Sequence, residues 1–441
     1  MYNREFNNKS NPLEFEYPSE KGRLILKGGR VVDPKNKVDG IFDVEVVGDR
    51  VVGLGAEIVP ASADRTVDCT GLVVMPGIID IHLHIGDLFD ISNNPLMKAA
   101  KEGVTTALSP GAGNTFMSPS LLGAESDRGL PINTGVYIGA AAALATRLTN
   151  DELVALIEGG LDSETASLKL SGNTITNSTA GNMIGIKEHK GHFILPDEAI
   201  ERLFDITSRG KTIFMTHTQQ AEHAEHLARL SKGRPFHLGH ATAAGCGSFG
   251  DAVSEFERVL SLVDSNITAE FVSSMLLENY GRHDGLKINP RVQESAFKAL
   301  SDKKVKLLVS DGQSAAVMKG FGNSADNIPA IFRLSSLGVL SLTDAVATMT
   351  SEAAGFLSLR TGNEIFSEKF GHLGKGAYAN ITVADPNVKR CVYTVVNGKI
   401  VSFDENVIHS GFSAGRFICK YGALKKTGAG DINLYGKHSE I

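Results

Sequence analysis

VVMPGIIDIHLH, residues 73–84, is the stretch whose reading decides the fold. It is a short apolar run, well under the ~20 residues of a membrane helix, and it closes on two imidazoles. In a strand, side chains alternate between faces, so His82 and His84 share one face and can reach the same ion. Seven more runs of this kind follow: VTTALSPG (104–111), INTGVYIGA (132–140), NMIGIKEH (182–189), TIFMTHT (212–218), PFHLGHAT (235–242), NITAEFV (266–272) and VKLLVSDG (305–312). Amphipathic, helix-like stretches separate them, among them NPLMKAAKEG, NDELVALIEGGL, PDEAIERLFDITSRG and DAVSEFERVLSLVDS. Thr149-Asn150-Asp151 and Pro196-Asp197 supply helix starts, and Gly103, Gly159 and Gly210 stand where those helices should stop. Eight strands mostly followed by helices argue for a parallel α/β arrangement, and residues 73–360 suit a (β/α)8 TIM barrel. An open doubly wound sheet is the competing arrangement by counting alone.

Outside this middle the text changes to short β runs at both ends. LIL (24–26), RVVD (30–33), DVEVV (43–47) and RVVGLG (50–55) precede it, and ANITVAD (379–385), VYTVVNG (392–398) and KIVSF (399–403) follow. The expectation is a small β-sandwich domain formed by both chain ends, 23–72 plus 361–441 with a C-terminal tail, and a polar leader over 1–22.

Composition narrows the function. The 441 residues carry 44 basic and 50 acidic side chains, a net charge of −6, and a pI near 6.1. That balance is no footprint for nucleic acid, and no apolar run is long enough for a membrane span. Cys69, Cys246, Cys391 and Cys419 form no CxxC pair. Free thiols and the lack of an apolar signal segment lead to the expectation of a cytoplasmic globular protein.

The polar residues of the eight runs gather at equivalent ends. His82 and His84 close the first, Lys187-Glu188-His189 the fourth, His217 the fifth, His240 the sixth and Asp311 the eighth. In a parallel barrel these are the C-terminal strand ends, where active sites lie. One histidine on a strand is usually structural; four with an aspartate at equivalent ends indicate a metal site.

With these residues the chain resembles the amidohydrolase superfamily of metal-dependent hydrolases. PGIIDIHLH (76–84), GVTTALSPG (103–111), IGIKEH (184–189), MTHT (215–218), HLGHATAAG (237–245) and SDG (310–312) carry the likeness, and LILKGGRVVDP (24–34) and GHLGKGAYANITVADPNV (371–388) match its β-sandwich. The resemblance implies two divalent metal ions, with zinc expected and Mn or Co as substitutes. His82 and His84 would hold one, His217 and His240 the other. Lys187 would bridge them as a carbamate formed with carbon dioxide, and Asp311 would ligate metal and shuttle the proton of a bridging hydroxide. Glu188 is the rival bridge. Period two sends Lys187 and Glu188 to opposite faces, and the GIK text favours Lys187. His237, three residues before His240, should face away from it. His223 and His226 read as a solvated helix face, His189 and His192 as a loop, and Cys246 as no nucleophile.

For substrate, RHDGLKINPRVQE (282–294) is similar to a segment of dihydroorotase-like cyclic amidases, so Arg282, Asn289 and Arg291 are candidates to hold a substrate carboxylate or amide. Dihydroorotase-like chains carry an arginine after His-x-His, whereas here Ile85-Gly86-Asp87 follow, and INTGVYIGAAAAL (132–144) is closer to D-aminoacylases. The expected reaction is therefore hydrolysis of an amide, cyclic amide or N-acyl C–N bond in a small molecule. A deaminase of the same superfamily and a non-catalytic dihydropyrimidinase-related scaffold are the alternatives. The resemblance also implies a homo-oligomer.

Overall fold

The computed structural model describes residues 23–85, 95–111, 113–190, 194–277, 288–312, 321–407 and 414–429. The leader 1–22, His192 and Arg282 lie outside them. The chain opens with β1 (Leu24–Asp33), β2 (Val38–Val47), β3 (Arg50–Gly55), β4 (Arg65–Asp68) and β5 (Val73–Pro76). Then come the eight barrel strands: β6 (Ile78–Asp80), β7 (Val104–Ser109), β8 (Asn133–Gly139), β9 (Gly185–Lys187), β10 (Ile213–His217), β11 (Phe236–Gly239), β12 (Ile267–Val272) and β13 (Leu307–Val309). It ends with β14 (Ile381–Asp385), β15 (Arg390–Val396), β16 (Lys399–Phe403), β17 (Asn406–Val407), β18 (Phe417–Cys419) and β19 (Gly422–Leu424).

From β6 to β13 each neighbouring pair is parallel, with helices over the outside. The ring closes through a bridge between Leu83 and Gly312 and the His84 N–H, which donates to the Gly312 carbonyl at 3.0 Å. Asp80 reinforces the seam: its carboxylate accepts the Ser310 N–H at 3.2 Å and the Asn327 amide at 3.1 Å. At the other end of the seam the Thr348–Met349 backbone intervenes, taking the Leu308 and Ile79 N–H groups. This is the TIM barrel rather than an open sheet.

Helix ends follow the local chemistry. Thr149 closes a reciprocal capping box with Glu152 at the start of Asn150–Ile157, and Gly210 ends Asp197–Arg209. Leu203, Phe204 and Ile206 of that second helix are buried against the barrel wall, where Phe204 meets Phe214 and Phe236 edge-on at 4.9 and 5.5 Å between centroids.

The two chain ends build one nine-stranded ladder in the order β17-β16-β15-β14-β5-β1-β2-β3, with β4 on β1. Both arms bury residues in one core, including Leu26, Val31, Val44, Val74, Ile381 and Val395. Two details differ from the sequence expectation. β5, read as barrel text, belongs to the end sheet, and the chain crosses into the barrel at Gly77, where an added Cβ would lie 2.2 Å from Thr105 Oγ1. Residues 417–424, grouped by sequence with the sandwich, instead form β18 and β19 at the barrel. Phe417 and Ile418 pair in parallel with Thr134 and Gly135, and the Asn133 side chain accepts the Arg416 N–H at 2.9 Å. Gly135 permits this approach, since a Cβ there would stand 2.4 Å from the Ile418 carbonyl.

Candidate metal centre

The residues singled out on the sequence lie at the C-terminal mouth of the barrel, at or just past the strand ends. His82 and His84 lie beyond β6, and both imidazoles turn towards Asp311. Asp311 follows β13 and His240 follows β11. Both take left-handed backbone, with φ of 44° and 40°, a conformation that strains non-glycine residues.

His82, His84 and Asp311 offer ligand atoms that all lie within 4.8 Å of one another. Asp311 Oδ1 stands 3.2 Å from both His82 Nε2 and His84 Nε2. The His82 and His240 rings are 5.3 Å apart by centroid, and those of His217 and His240 4.6 Å, so the second histidine pair abuts the first. Lys187 is fully buried in the barrel. Its Nζ is 3.3 Å from the Thr216 carbonyl and would be 2.6 Å from a Cβ on Gly239. Glu188 faces the other way: its Oε2 is 3.3 Å from both the His217 N–H and His223 Nε2. His223 is thus not the solvated residue its polar helix suggested, because it covers Glu188. His189, read as a loop residue, is buried.

This donor set fits a divalent cation. Two imidazole nitrogens converge on one carboxylate oxygen, an arrangement that needs a proton or cation between them, and imidazole with carboxylate suits zinc-like ions. His240 Nδ1 is buried with no hydrogen-bond partner among the described residues. Burial, with Lys187 adding to it, pushes His217 down to about 3, and burial beside His217 and Lys187 puts His240 well below the usual imidazole range. Both rings therefore present lone pairs at neutral pH. Burial also lowers Lys187 to about 8. Burial pushes Asp311 upward, but the charge of His82 and the hydrogen bonds from His82 and His84 outweigh it and hold the carboxyl well below its ordinary range. Cys246 is pushed up to about 11 by burial, which leaves it an inert thiol.

The substrate candidates are placed otherwise. Asn289 caps the helix Pro290–Ser301, its side chain accepting the Val292 N–H at 3.0 Å, and Arg291 is exposed on that helix's first turn.

Two residues given no role on the sequence prove central. Asp80 ties the barrel seam, as above. Glu270, on β12, is fully buried and touches His82, His237 and the His240 backbone. The one charged residue in the strand run NITAEFV was the available signal.

The sequence profile of the amidohydrolase family matches residues 73–418. The chain is 24% identical over 413 residues to the dihydroorotase of Syntrophotalea carbinolica, spanning 83% of this chain and 90% of that one. Its fold is similar to the dihydropyrimidinase from Brevibacillus agri, with a TM-score of 0.66 at 16% identity over 91% of this chain and 99% of the other. The L-hydantoinase from Arthrobacter aurescens gives 0.66 at 17% identity, over 90% and 100%.

Proposed function

This chain belongs to the amidohydrolase family, and from that premise we propose that it hydrolyses a cyclic amide or N-acyl C–N bond of a small polar substrate at a two-ion zinc centre. His82 and His84 hold one ion, His217 and His240 the other, with Asp311 as a further ligand. The observation that carries the reading is the convergence of His82, His84 and Asp311 within 4.8 Å beside an interior lysine. Bound divalent ions supply a polarised carbonyl and a water acidified to neutral pH.

The remaining chemistry belongs to the chain. Burial that brings Lys187 to about 8 raises the share of neutral amine at physiological pH. The neutral Nζ attacks carbon dioxide and forms the N–C bond as one C=O π pair moves onto oxygen, and the proton lost from nitrogen passes to solvent. The product is an anionic carbamate, an oxygen donor where an ammonium would repel cations. Glu188, turned towards His223, leaves that role to Lys187. Asp311 takes a proton from the attacking water and gives it to the leaving nitrogen, acting as base and then acid.

The dihydroorotase relative favours the cyclic-amide class. The Ile85-Gly86-Asp87 text, with no arginine after His-x-His, favours a ring other than dihydroorotate. A cytoplasmic location is supported by the free cysteines, and a homo-oligomer is carried over from the family likeness.

The test is elemental analysis of protein purified without chelators, together with the Lys187→Ala variant, assayed on cyclic ureides, N-acyl amino acids and β-aspartyl dipeptides. The expected result is two zinc ions per wild-type chain, with the variant losing metal and turnover and recovering part of both in acetate or propionate. Full metal retention in Lys187→Ala, with loss in Glu188→Ala, would move the bridge to Glu188.

A further inference from the structure

Glu270 is fully buried on β12, and each of its oxygens is used. Oε1 accepts from His82 Nδ1 and from the His240 N–H, the latter at 3.0 Å. Oε2 lies 3.0 Å from His237 Nε2. His237 Nδ1 is in turn 2.9 Å from Thr268 Oγ1, and Thr268 Oγ1 is 3.0 Å from Arg360 Nη2. Arg360 rises from the helix Ser351–Thr361 beneath the barrel.

Chemistry assigns every proton in this chain from its cationic end. A guanidinium only donates, so Thr268 Oγ1 accepts from Arg360 and gives its own proton to His237 Nδ1. His237 then carries its proton on Nε2 and donates it to Glu270. A carboxylate only accepts, so His82 must carry its proton on Nδ1. Its Nε2, 3.2 Å from Asp311, is then the ring nitrogen that can offer its lone pair to a cation in place of the proton it shares with that carboxylate. The same Glu270 oxygen ties down the backbone of His240, whose left-handed φ of 40° needs an external restraint.

We propose that Glu270, backed by His237, Thr268 and Arg360, is the positioning residue of the metal centre, fixing His82 as an Nε2 ligand and His240 in its strained turn. One carboxylate thereby couples the two histidine pairs. The inference rests on the metal-centre reading above, in which His82 and His240 are ligands.

The experiment is zinc titration of wild type and Glu270→Gln against a chromophoric chelator, with circular dichroism of both apo chains as the fold control. A glutamine has one accepting oxygen and cannot receive both His82 and His237. The expected loss is about 10- to 100-fold in zinc affinity, the usual effect of removing a carboxylate behind a metal-bound histidine. Equal affinity in wild type and variant would overturn the inference while leaving the metal centre standing. A wild type that binds no zinc would instead overturn the metal reading, and the inference with it. Should Glu270→Gln fail to fold, imidazole 15N NMR of the zinc-loaded wild type decides. His82 protonated on Nδ1 and metal-bound through Nε2 is the expected signature, and coordination through Nδ1 overturns the proposal.

Discussion

Replacing Gly239 by alanine adds one methyl at a tight place beside Lys187 in the barrel interior. The new Cβ would lie 2.6 Å from Lys187 Nζ, 2.8 Å from the Thr216 carbonyl oxygen and 3.3 Å from His82 Cε1. Non-bonded heavy atoms prefer roughly 3.5 Å or more, so two of these contacts are short by about 0.7 Å or more. The Thr216 oxygen cannot retreat, because β10 and β11 are paired in register, Thr216 with Leu238 and His217 with Gly239. Lys187 must therefore give up its present position and its 3.3 Å contact with that carbonyl. Forced overpacking of this kind costs about 1–3 kcal/mol. For a chain of this size that amounts to no more than about 2 °C of melting temperature per kcal/mol. The effect on the site should be larger than the effect on the fold, because a displacement of about 1 Å at reacting or ligating groups can cost on the order of 100-fold in rate. Differential scanning calorimetry of the apo chain and metal content of the isolated protein are the two readouts. A Gly239→Ala variant with wild-type melting temperature and wild-type metal content would refute the placement of the Lys187 amine against this strand.

Two further outcomes follow from the same geometry. Asp311→Asn should keep the fold, since the Phe321 N–H that Asp311 accepts at 3.0 Å finds an oxygen in asparagine as well. Turnover should fall by about 10²- to 10⁴-fold with loss of the proton carrier, and wild-type kcat would remove Asp311 from that role. Away from the centre, burial raises Glu102 to about 6, even though Lys98 and Ser324 pull the other way. The native state thus holds more protons than the unfolded chain between pH 4.5 and 6. Folding stability conferred by the neutral acid is present below that window and lost as pH rises through it, by about 2 kcal/mol. Glu102→Gln should gain that margin over wild type at pH 7 and not at pH 4.5 in urea unfolding, whereas a pH-independent difference would contradict the assignment.

The barrel was legible because its information is local and periodic. Each of the eight apolar runs became a strand, and punctuation such as Thr149 and Gly210 stopped or started helices through groups within four residues. The end sheet was legible for the same reason, as short alternating runs. What sequence could not show was which strand a segment would join when the partner is remote and the contact is made through backbone. β18 beside β8 depends on Gly135 lacking a Cβ and on Asn133 turning its amide inward, and neither residue announces that in its own neighbourhood. The crossing at Gly77 is similar. It divides one continuous apolar run between two sheets because Thr105, 28 positions later in the chain, fills the space a side chain would need.

The site shows the same boundary between local and remote information more sharply. The gathering of His82, His84, Lys187, His217, His240 and Asp311 at one mouth was readable because strand polarity places strand ends together. The sorting of Lys187 inward and Glu188 outward follows from alternation alone. Conformation and protonation were not readable, since both are set by groups far along the chain. His240 and Asp311 sit at left-handed φ with β-carbons that disfavour it, a strain on the order of 1–3 kcal/mol each. Such strain persists only where surrounding bonds over-determine it. For His240 the restraint is Glu270, 30 residues away; for Asp311 it is the Phe321 N–H on one oxygen and the two imidazoles on the other. Glu270 thus restrains the His240 backbone and, through Nδ1, the tautomer of His82, so geometry and protonation at this centre are coupled. A substitution that frees either backbone should release the ligand as well.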